Sequence, residues 1–452
     1  MNNKEFRISP DDNFNYFFGF HDLVAWNNDE TKLAALRIYN IKTPPSINIP
    51  CIVGYIQNDK FIKLGKTYAY NYPQGARQQW VGNTNILIVN NKVGGVWGTD
   101  VYDTDSNKLL DSIEYTSHVV TNEGWSFGLD YARLHRVGGY GYTGLLDRNS
   151  KIHAPENSGI VKHNIYTKRH QLILSIKEVA NFKAKENQGK HHYITHLVLN
   201  PSQTRIAFLH RCKLNDGGET TRLMTVGVNG EDLRCIATGF LSHFDWKDDG
   251  YIAIWGRTGT GIEKLRNNPI IRMIPPVLMR GVKEIVKKFL KKHKPIDDVN
   301  VKKASAFDWL LFSDSDFIEQ TFLGKGVLLE DGHPMFCPSN RDWLINDTYP
   351  NKEGDRELYL FQYSTQKKIV LGTYKMIFDK PEVDKIKNTL VDVEQSVLKS
   401  FSIEKMAFYR SGLHCDLHPR WKRSGKTIAF DSIHEGNRRI YGFDVDYYIN
   451  QQ

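Results

Sequence analysis

The chain has 452 residues, of which 40% are hydrophobic and 25% are charged, a composition typical of folded globular proteins and unlike that of disordered ones. Its net charge of +9 attracts polyanions such as nucleic acid, anionic lipid or acidic polysaccharide without selecting among them. Because the N-terminus lacks the apolar segment of a signal peptide and no long apolar run follows, we expect a cytoplasmic protein without a membrane span.

The cysteines are scattered along the chain. There are five of them, and none forms a CxxC pair. An odd number with this spacing argues against a disulfide framework and against a zinc ribbon. We therefore interpret at least Cys51, Cys212 and Cys235 as buried thiols.

Short apolar or alternating segments recur between clusters of turn-forming residues, a pattern typical of many short β-strands. In chain order they include CIVGYI, TNILIVN, RIAFLHR, GYIAIWG, DWLIND, ELYLFQY and KTIAFDSI. An internal repeat accompanies them, in which a polar residue is followed three places later by an apolar or aromatic one, then by a turn and a second strand. Copies of this repeat lie around Trp26 and begin at Arg77, His196, His243, His333 and His418, with a weaker candidate at Gly124.

The spacing of these copies predicts an all-β fold. It fits a single β-propeller domain over residues 1–452 with roughly seven blades, since a blade needs about 40 to 50 residues. In a propeller the same position of each blade faces the central channel. We therefore expect the repeated histidines to converge there.

One segment interrupts the strand pattern. Residues 259–303 place apolar side chains at helical spacing against a lysine-rich face, which predicts an inserted basic amphipathic helix. Such a helix would pack on its own domain, pair with a partner, or make a peripheral contact with an anionic membrane, here at its inner face.

The densest group of reactive residues is RSGLHCDLHPRW, residues 410–421. Alternate residues of a strand share a face, so His414, Asp416 and His418 should point the same way. Two imidazoles and a carboxylate suit a divalent metal such as Mn²⁺ or Zn²⁺. The alternative is that these histidines hydrogen-bond between blades. The shared repeat position of His243, His333 and His418, with His414 beside them, favours a site. The predicted metal ligands are His243, His333, His414 and His418.

A second cluster combines imidazoles with a guanidinium. His192 and His196 lie on one predicted strand, and Arg211 ends the strand that returns beside it. A guanidinium can hold a carboxylate with two parallel hydrogen bonds, while histidine exchanges protons near neutral pH. These residues suit acid–base chemistry on an anionic substrate.

A third candidate is RLHRVGGYGY, residues 133–142. Its glycines let the backbone approach a ligand closely, and its phenols are hydrogen-bond donors. Tyr140 or Tyr142 could protonate a leaving oxygen or stack on a sugar, and we expect one of the two to pack in the core. The predicted substrate-binding residues are Gln79, Trp80, Arg133, Tyr140, Arg410 and Arg420.

Motifs for other chemistries are missing from the sequence. It contains no P-loop, no dinucleotide-binding glycine motif, no GxSxG and no HExxH. It also lacks C₂H₂ zinc-finger and RNP-like patterns. We therefore expect neither a nucleotide cofactor nor a nucleic-acid partner.

Four stretches resemble the seven-bladed β-propeller polysaccharide lyases of the oligogalacturonate lyase and ulvan lyase kind. They are RLHRVGGYGY, ITHLVLNPSQTRIAFLHR, DGHPMFCPSNRDWLINDTYPN and HCDLHPRWKRSGKTIAFDSIHEGNRRIY. The resemblance runs from about residue 75 to residue 445 and leaves out the 259–303 segment. It implies cleavage of uronic-acid linkages in an acidic oligosaccharide or polysaccharide by β-elimination.

The resemblance also implies roles for particular residues. Arg211 looks like the carboxylate-binding arginine, His196 or His192 like the base, and Tyr142 like the acid. A metal or the arginine would offset the carboxylate charge. The implied metal ligands are His333, His414 and His418.

Two other functions stay open. One is a non-catalytic, membrane-associated propeller that binds an acidic glycan or a partner protein in surface-polysaccharide synthesis, which the basic helix favours. The other is a glycoside hydrolase, which would need two carboxylates across its ligand, and Asp331 and Asp416 are available for that role.

Overall fold

The computed structural model describes residues 5–184, 189–214, 218–258, 307–399 and 402–449. Strands dominate these ranges and form six sheets with antiparallel neighbours throughout. Five sheets have four strands and one has seven. Central strands such as WLIND over Trp343–Asp347 are buried along their whole length, as expected where sheets pack against each other on both faces.

The strands follow one another from sheet to sheet along the chain. The first sheet contains β2 Asn15–Phe17, β3 Leu33–Ile38, β4 Cys51–Gln57 and β5 Lys60–Thr67. The second contains β6 Gln79–Trp80, β7 Ile86–Val93, β8 Val96–Asp103 and β9 Lys108–Ile113. The third contains β10 Val119–Val120, β11 Trp125–Gly128, β12 Gly159–Asn164 and β13 His170–Ser175.

The remaining sheets continue this order, and the N-terminal strand β1 Glu5–Arg7 joins the last of them. The seven-stranded sheet contains β14 Lys190–Leu199, β15 Arg205–Lys213, β16 Glu219–Gly227, β17 Arg234–Asp248, β18 Tyr251–Thr258, β19 Asp308–Ser313 and β20 Gln320–Phe322. The last two sheets contain β21 Met335–Phe336, β22 Trp343–Asp347, β23 Asp355–Gln362 and β24 Lys367–Lys375, and β25 Arg420–Trp421, β26 Thr427–Ser432 and β27 Arg439–Asp444 with β1.

The pairing of β1 with β27 closes the ring of sheets. Glu5 lies opposite Phe443 and Arg7 opposite Tyr441, so the first strand of the chain completes the sheet made by its last three. Successive antiparallel sheets closed in this way form a β-propeller. The predicted all-β propeller fold is thereby confirmed.

The seven-stranded sheet depends on the long strand β17. Its first part, Arg234–Gly239, pairs with β16, and its second part, Gly239–Asp248, pairs with β18. Dividing β17 between two blades would turn the six sheets into seven four-stranded units. The predicted blade number stays a prediction, because it depends on that division.

Repeated tryptophans tie the inner strands of neighbouring repeats together. Each stands three residues after the start of its repeat, and its indole N–H donates to a backbone carbonyl two residues into the preceding repeat. These hydrogen bonds join Trp80 Nε1 to Ala25 O at 2.8 Å, Trp246 Nε1 to Val198 O at 3.0 Å and Trp421 Nε1 to Met335 O at 2.9 Å. The repeat predicted from the sequence therefore keeps its register in the fold.

The weak repeat candidate at Gly124 was placed wrongly. Trp125 belongs to β11, the second strand of its sheet, while the short strand β10 takes the innermost place. His118 precedes β10 and so stands at the start of this copy. A strand of two residues is too short to show an alternating pattern in the sequence.

The helices of the described residues are short and lie in the connections between strands or after the last strand. They are α1 Tyr131–Val137, α2 Ile176–Asn181, α3 Val383–Ile386, α4 Gln395–Leu398, α5 Ile403–Arg410 and α6 Asp446–Ile449, with a 3₁₀ turn at Lys387–Thr389. The group from α3 to α5, which the sequence did not predict, contacts α1 through a hydrogen bond from Glu394 N to Arg136 O at 2.9 Å. The predicted helix at 259–303 lies outside the described residues.

Two sequence expectations concern burial and membrane insertion. All five cysteines are buried, which confirms the interpretation of Cys51, Cys212 and Cys235. In the described ranges, every helix is too short or too polar to span a bilayer.

Candidate functional site

Histidines from distant parts of the chain meet around Phe20, which lies between β2 and β3. The ring of Phe20 lies 5.0 Å from that of His418 and 5.2 Å from that of His196. The His333 ring lies 4.2 Å from His418 and 4.4 Å from His243. We call this group the histidine cluster, and its members are His21, His196, His243, His333 and His418.

The repeat explains why these side chains converge. His196 and His418 stand at its first position and adopt left-handed backbone, with φ of 57° and 43°, a conformation that is costly unless the surrounding structure enforces it. Part of that enforcement comes from buried Asp347. Its carboxylate accepts the backbone N–H groups of His333 at 2.8 Å and His418 at 3.1 Å. One carboxylate thus fixes two histidines of neighbouring sheets.

Oxygen atoms of the protein hold one ring nitrogen in three members of the histidine cluster. The pairs are His21 Nδ1 with Pro334 O at 2.6 Å, His243 Nδ1 with Asp331 Oδ1 at 3.1 Å and His333 Nδ1 with Asp347 Oδ1 at 2.8 Å. An Nδ1–H donor of this kind leaves Nε2 as the atom that can bind a metal or a proton.

Two buried nitrogens of the cluster lack a partner. Neither His21 Nε2 nor His418 Nδ1 finds a hydrogen-bond partner among the described residues. Buried polar atoms are normally satisfied. These two unsatisfied imidazole nitrogens therefore make the cluster a candidate ligand site.

A carboxylate joins the cluster where His333 meets His418. Ligand atoms of His333, Asp416 and His418 all lie within 4.8 Å of one another. Asp416 also forms an ion pair with Arg356 at 3.2 Å and lies 3.8 Å from His414 Nδ1. Imidazole and carboxylate donors suit Mn²⁺, Zn²⁺ or Fe²⁺. These residues fit a divalent metal.

The charge state of the group favours a cation. Burial lowers the pKa of His21, His196 and His418 well below its usual value, so their imidazoles are neutral at neutral pH. Burial alone would raise the pKa of Asp416, but its electrostatic interactions with His414 and Arg356 outweigh this effect and lower that pKa. An ionised carboxylate thus stands beside neutral imidazoles.

His333 differs from the other cluster members. Burial would lower its pKa, but the Asp347 carboxylate more than offsets this and raises the pKa. A carboxylate behind the imidazole also increases its basicity as a ligand. Asp347 therefore both orients His333 and strengthens it as a donor.

Acid, base and fixed charge meet at one edge of the cluster. The rings of Tyr140 and His196 lie 5.7 Å apart. Burial, with a further contribution from Asp416, raises the pKa of Tyr140 to about 12, so the phenol keeps its proton. The Arg211 Nε lacks a partner among the described residues, and its charge contributes to the lowered pKa of His196. A neutral base, a protonated acid and a permanent cation share this edge.

Two predicted catalytic residues lie elsewhere. Tyr142 is fully buried in the core, where its hydroxyl accepts a hydrogen bond from Asn90 at 2.9 Å and its ring stacks on Tyr131 at 4.1 Å. His192 packs against His210, with 3.1 Å between ring nitrogens. A register shift between Lys190 and Tyr193 explains why His192 does not share the direction of His196.

Four predicted substrate-binding residues instead form hydrogen bonds or ion pairs within the protein. Arg133 donates to His192 O at 2.7 Å and His153 O at 2.8 Å, and Arg420 pairs with Asp431 at 3.0 Å. The Gln79 amide donates to Arg77 O at 3.1 Å, and Trp80 carries one of the repeat hydrogen bonds. Arg420 Nε lacks a partner among the described residues, but the other hydrogen-bonding groups named here are occupied. Tyr140 and Arg410 do line a cavity beside the cluster.

Sequence reasoning missed several residues of the site. His21 stands outside the repeat register, Asp347 is the last residue of β22, and Tyr349 follows that strand. Tyr349 brings its ring to 5.4 Å from His333. The Asp347-Thr-Tyr segment was among the stretches that carried the family resemblance, and this was the available signal.

No protein-family model matches the chain, and no curated protein matches it in sequence. Solved structures do match its fold. One described as an oligogalacturonate lyase in complex with manganese has a TM-score of 0.56 and 12% identity, covering 97% of this chain and 92% of the other. An oligogalacturonate lyase from Vibrio parahaemolyticus has a TM-score of 0.53 and 11% identity, covering 98% and 93%. At such identities the likeness shows a shared propeller fold.

Proposed function

We propose that this protein is a lyase that cleaves uronic-acid-containing saccharides by metal-assisted or arginine-assisted β-elimination. The observation that carries the proposal is the meeting of His196, Tyr140 and Arg211 beside the His333–Asp416–His418 group. Its support is chemical, because β-elimination next to a carboxylate needs a base, an acid and a positive charge in one place. The manganese in a fold relative and the sequence resemblance agree with it.

Arg211 takes the first role. A proton on the carbon next to a carboxylate anion is very weakly acidic until the negative charge is offset. The Arg211 guanidinium would bind the carboxylate and stabilise the charge that develops as the proton leaves. A metal held by His333, Asp416 and His418 would supply Lewis-acid stabilisation of the same carboxylate.

His196 and Tyr140 take the proton-transfer roles. The neutral His196 imidazole would accept the C5 proton, and the electron pair of that C–H bond would form the C4=C5 double bond. The C4–O bond then breaks, and the Tyr140 hydroxyl would protonate the leaving oxygen. Because the pKa of Tyr140 is raised to about 12, it holds the required proton at neutral pH.

The test is ultraviolet absorbance of the unsaturated uronate product. Purified protein, with Mn²⁺ or after chelation, would be incubated with a panel of uronate oligosaccharides. We expect a rise in absorbance that falls at least 100-fold in His196→Ala and Arg211→Ala, within the ranges for loss of a general base and of a charge-stabilising donor. His170→Ala, at an exposed histidine of β13, is the matched control and should keep full activity.

An absence of product with every substrate, in folded protein, would overturn the lyase proposal. Binding of the same oligosaccharides without cleavage would then favour the non-catalytic, glycan-binding function. Loss of activity in the His170→Ala control would show that the effect of histidine replacement is not specific to the site.

A further inference from the structure

A second cavity, of about 530 Å³, lies apart from the candidate site. It is lined by residues of β8, of the connection from β9 to β10, and of the segment 128–161 that contains α1. No described residue lines both this cavity and the one beside the histidine cluster. Small-molecule sites commonly enclose about 300 to 1,000 Å³. The fold therefore offers a second space large enough for a ligand.

Trp97 of β8 lines this second cavity and carries a hydrogen-bond donor that is not used within the protein. The residue is 7% exposed, and its ring meets the edge of the Tyr142 ring at 5.6 Å. Its Nε1 is buried, yet it finds no hydrogen-bond partner among the described residues. The indoles of Trp80, Trp246 and Trp421 all donate to backbone carbonyls. Because an unsatisfied buried donor is costly, an acceptor supplied by a ligand would be favoured at Trp97.

Two carboxylates and one guanidinium belong to the described lining of this cavity, at Glu114, Asp130 and Arg148. The Asp130 carboxylate accepts the Arg133 backbone N–H at 2.9 Å and the Ser158 hydroxyl at 3.2 Å. Each carboxylate oxygen has two lone pairs, so both can accept a further donor. Burial raises the pKa of Asp130, so an additional negative charge beside it would be unfavourable. The lining therefore favours a ligand that donates hydrogen bonds and carries no carboxylate.

Apolar side chains also line the cavity. Leu129 is buried, Leu145 is partly buried, and Leu146 is 68% exposed. Tyr115 adds an aromatic residue to the lining. Apolar walls with a few polar groups are typical of small-molecule sites. A sugar ring matches this combination, because it has C–H groups on its faces and hydroxyls around its edge.

The polar groups distinguish a neutral sugar from charged ligands. An aliphatic ammonium ion has no acceptor for the Trp97 N–H, and a carboxylate would be repelled by Glu114 and Asp130. A hydroxyl can accept from the indole and donate to a carboxylate. Neutral sugars carry several hydroxyls on one ring and so can satisfy both groups at once.

We infer that this cavity binds a neutral sugar unit, with Trp97 Nε1 donating to one of its oxygens and Asp130 accepting one of its hydroxyl protons. The site is separate from the proposed β-elimination chemistry and does not depend on it. It would hold uncharged units of a saccharide, whereas the histidine cluster and Arg211 would hold the acidic ones.

Saturation-transfer NMR titrations with two matched pairs of monosaccharides test this inference. Methyl galactoside is compared with methyl galacturonoside, and methyl glucoside with methyl glucuronoside. Within each pair only the group at C6 changes, from a hydroxymethyl to a carboxylate. These probes have no glycosidic bond at C4, so β-elimination cannot consume them. We expect at least one neutral probe to bind the cavity, and to bind there more tightly than its acidic partner.

Two variants assign the binding to this cavity. Trp97→Phe keeps an aromatic ring but removes the indole N–H, and it should weaken binding of the neutral probe about 2-fold to 10-fold, the range for one neutral hydrogen bond. Leu146→Ala changes an exposed side chain, so the fold should be unaffected while binding weakens through lost apolar contact. Leu110→Ala, at an exposed leucine of β9 that does not line the cavity, is the matched control and should bind like the parent.

Three results would overturn the inference. They are no binding of either neutral probe to the folded parent, equal affinity in the parent and both variants, and tighter binding of an acidic probe in the component that Leu146→Ala removes. The lyase proposal is tested separately by ultraviolet absorbance of its product, so failure of one would be distinguishable from failure of the other.

Discussion

Arg77 and His418 begin two copies of the same repeat, and both adopt left-handed backbone, with φ of 50° and 43°. Their surroundings differ. The Arg77 guanidinium is held by Asp22 at 2.8 and 3.0 Å and by His118 O at 2.6 and 3.0 Å. His418 keeps an unpartnered Nδ1 among the described residues and lies 4.2 Å from His333. The same repeat position thus stabilises the fold in one sheet and belongs to the candidate site in another.

Replacing Arg77 or His418 with leucine should distinguish a residue that stabilises the fold from one that belongs to the candidate site. Arg77→Leu leaves the buried Asp22 unpaired, so the free energy of unfolding should fall by about 3 to 5 kcal/mol. His418→Leu removes a buried polar group that is not satisfied, so stability should hold while binding of Mn²⁺ is lost. Denaturant unfolding and calorimetry measure the two effects. Equal destabilisation by both variants would refute the distinction.

Asp347 orients the site without itself belonging to the proposed metal group. Asp347→Asn should weaken Mn²⁺ binding about 10-fold to 100-fold, as expected for loss of a carboxylate behind a metal-binding histidine. Titration calorimetry checks this. Asp355→Asn, at a partly exposed carboxylate, is the control and should bind metal normally. Unchanged affinity in Asp347→Asn would argue against His333 as a ligand.

Replacing Trp421 tests the repeat hydrogen bonds that join the inner strands of neighbouring sheets. Trp421→Phe keeps an aromatic ring but leaves the carbonyl of Met335 without its indole donor. We expect a loss of about 2 kcal/mol in stability, because an unsatisfied buried group costs about 1 to 3 kcal/mol. A melting temperature equal to that of the parent would contradict the bracing role.

The pH dependence of stability tests the burial of the His192 imidazole. Burial lowers the pKa of His192 to about 4, below the ordinary value near 6.5, so between these values the unfolded chain binds a proton that the folded protein does not. Stability should therefore fall as the pH drops from about 6.5 to 4, by up to about 1.4 kcal/mol per unit for this one group. His192→Asn should flatten the slope in urea titrations, and His170→Asn should not. An unaltered slope in His192→Asn would refute this contribution.

Most of the fold could be predicted from the sequence. Alternating segments identified the strands, and the repeat at His196, His243, His333 and His418 identified the propeller, because each copy must repeat the same inner-strand contacts. The signal failed where strands are very short, as at β10. It also failed for α3 to α5, which lie between sheets and have no place in the repeat.

The site could be predicted only in part. Repeat register brought His243, His333 and His418 together correctly, since equivalent positions share one axis. It could not distinguish Tyr140, which borders His196, from Tyr142 two residues later in the core. It also missed His21, which reaches the cluster from a loop outside the register.

The sequence by itself determined the periodic elements: which segments are strands, where the repeats begin, and that histidines stand at their starts. Only the tertiary structure decided which polar groups are satisfied. Arg77 and Arg133 find partners far away in the chain, while His21 and His418 of the histidine cluster each keep a ring nitrogen without a partner among the described residues. Whether a buried polar group is hydrogen-bonded depends on contacts between blades, and the sequence pattern alone does not give those distances.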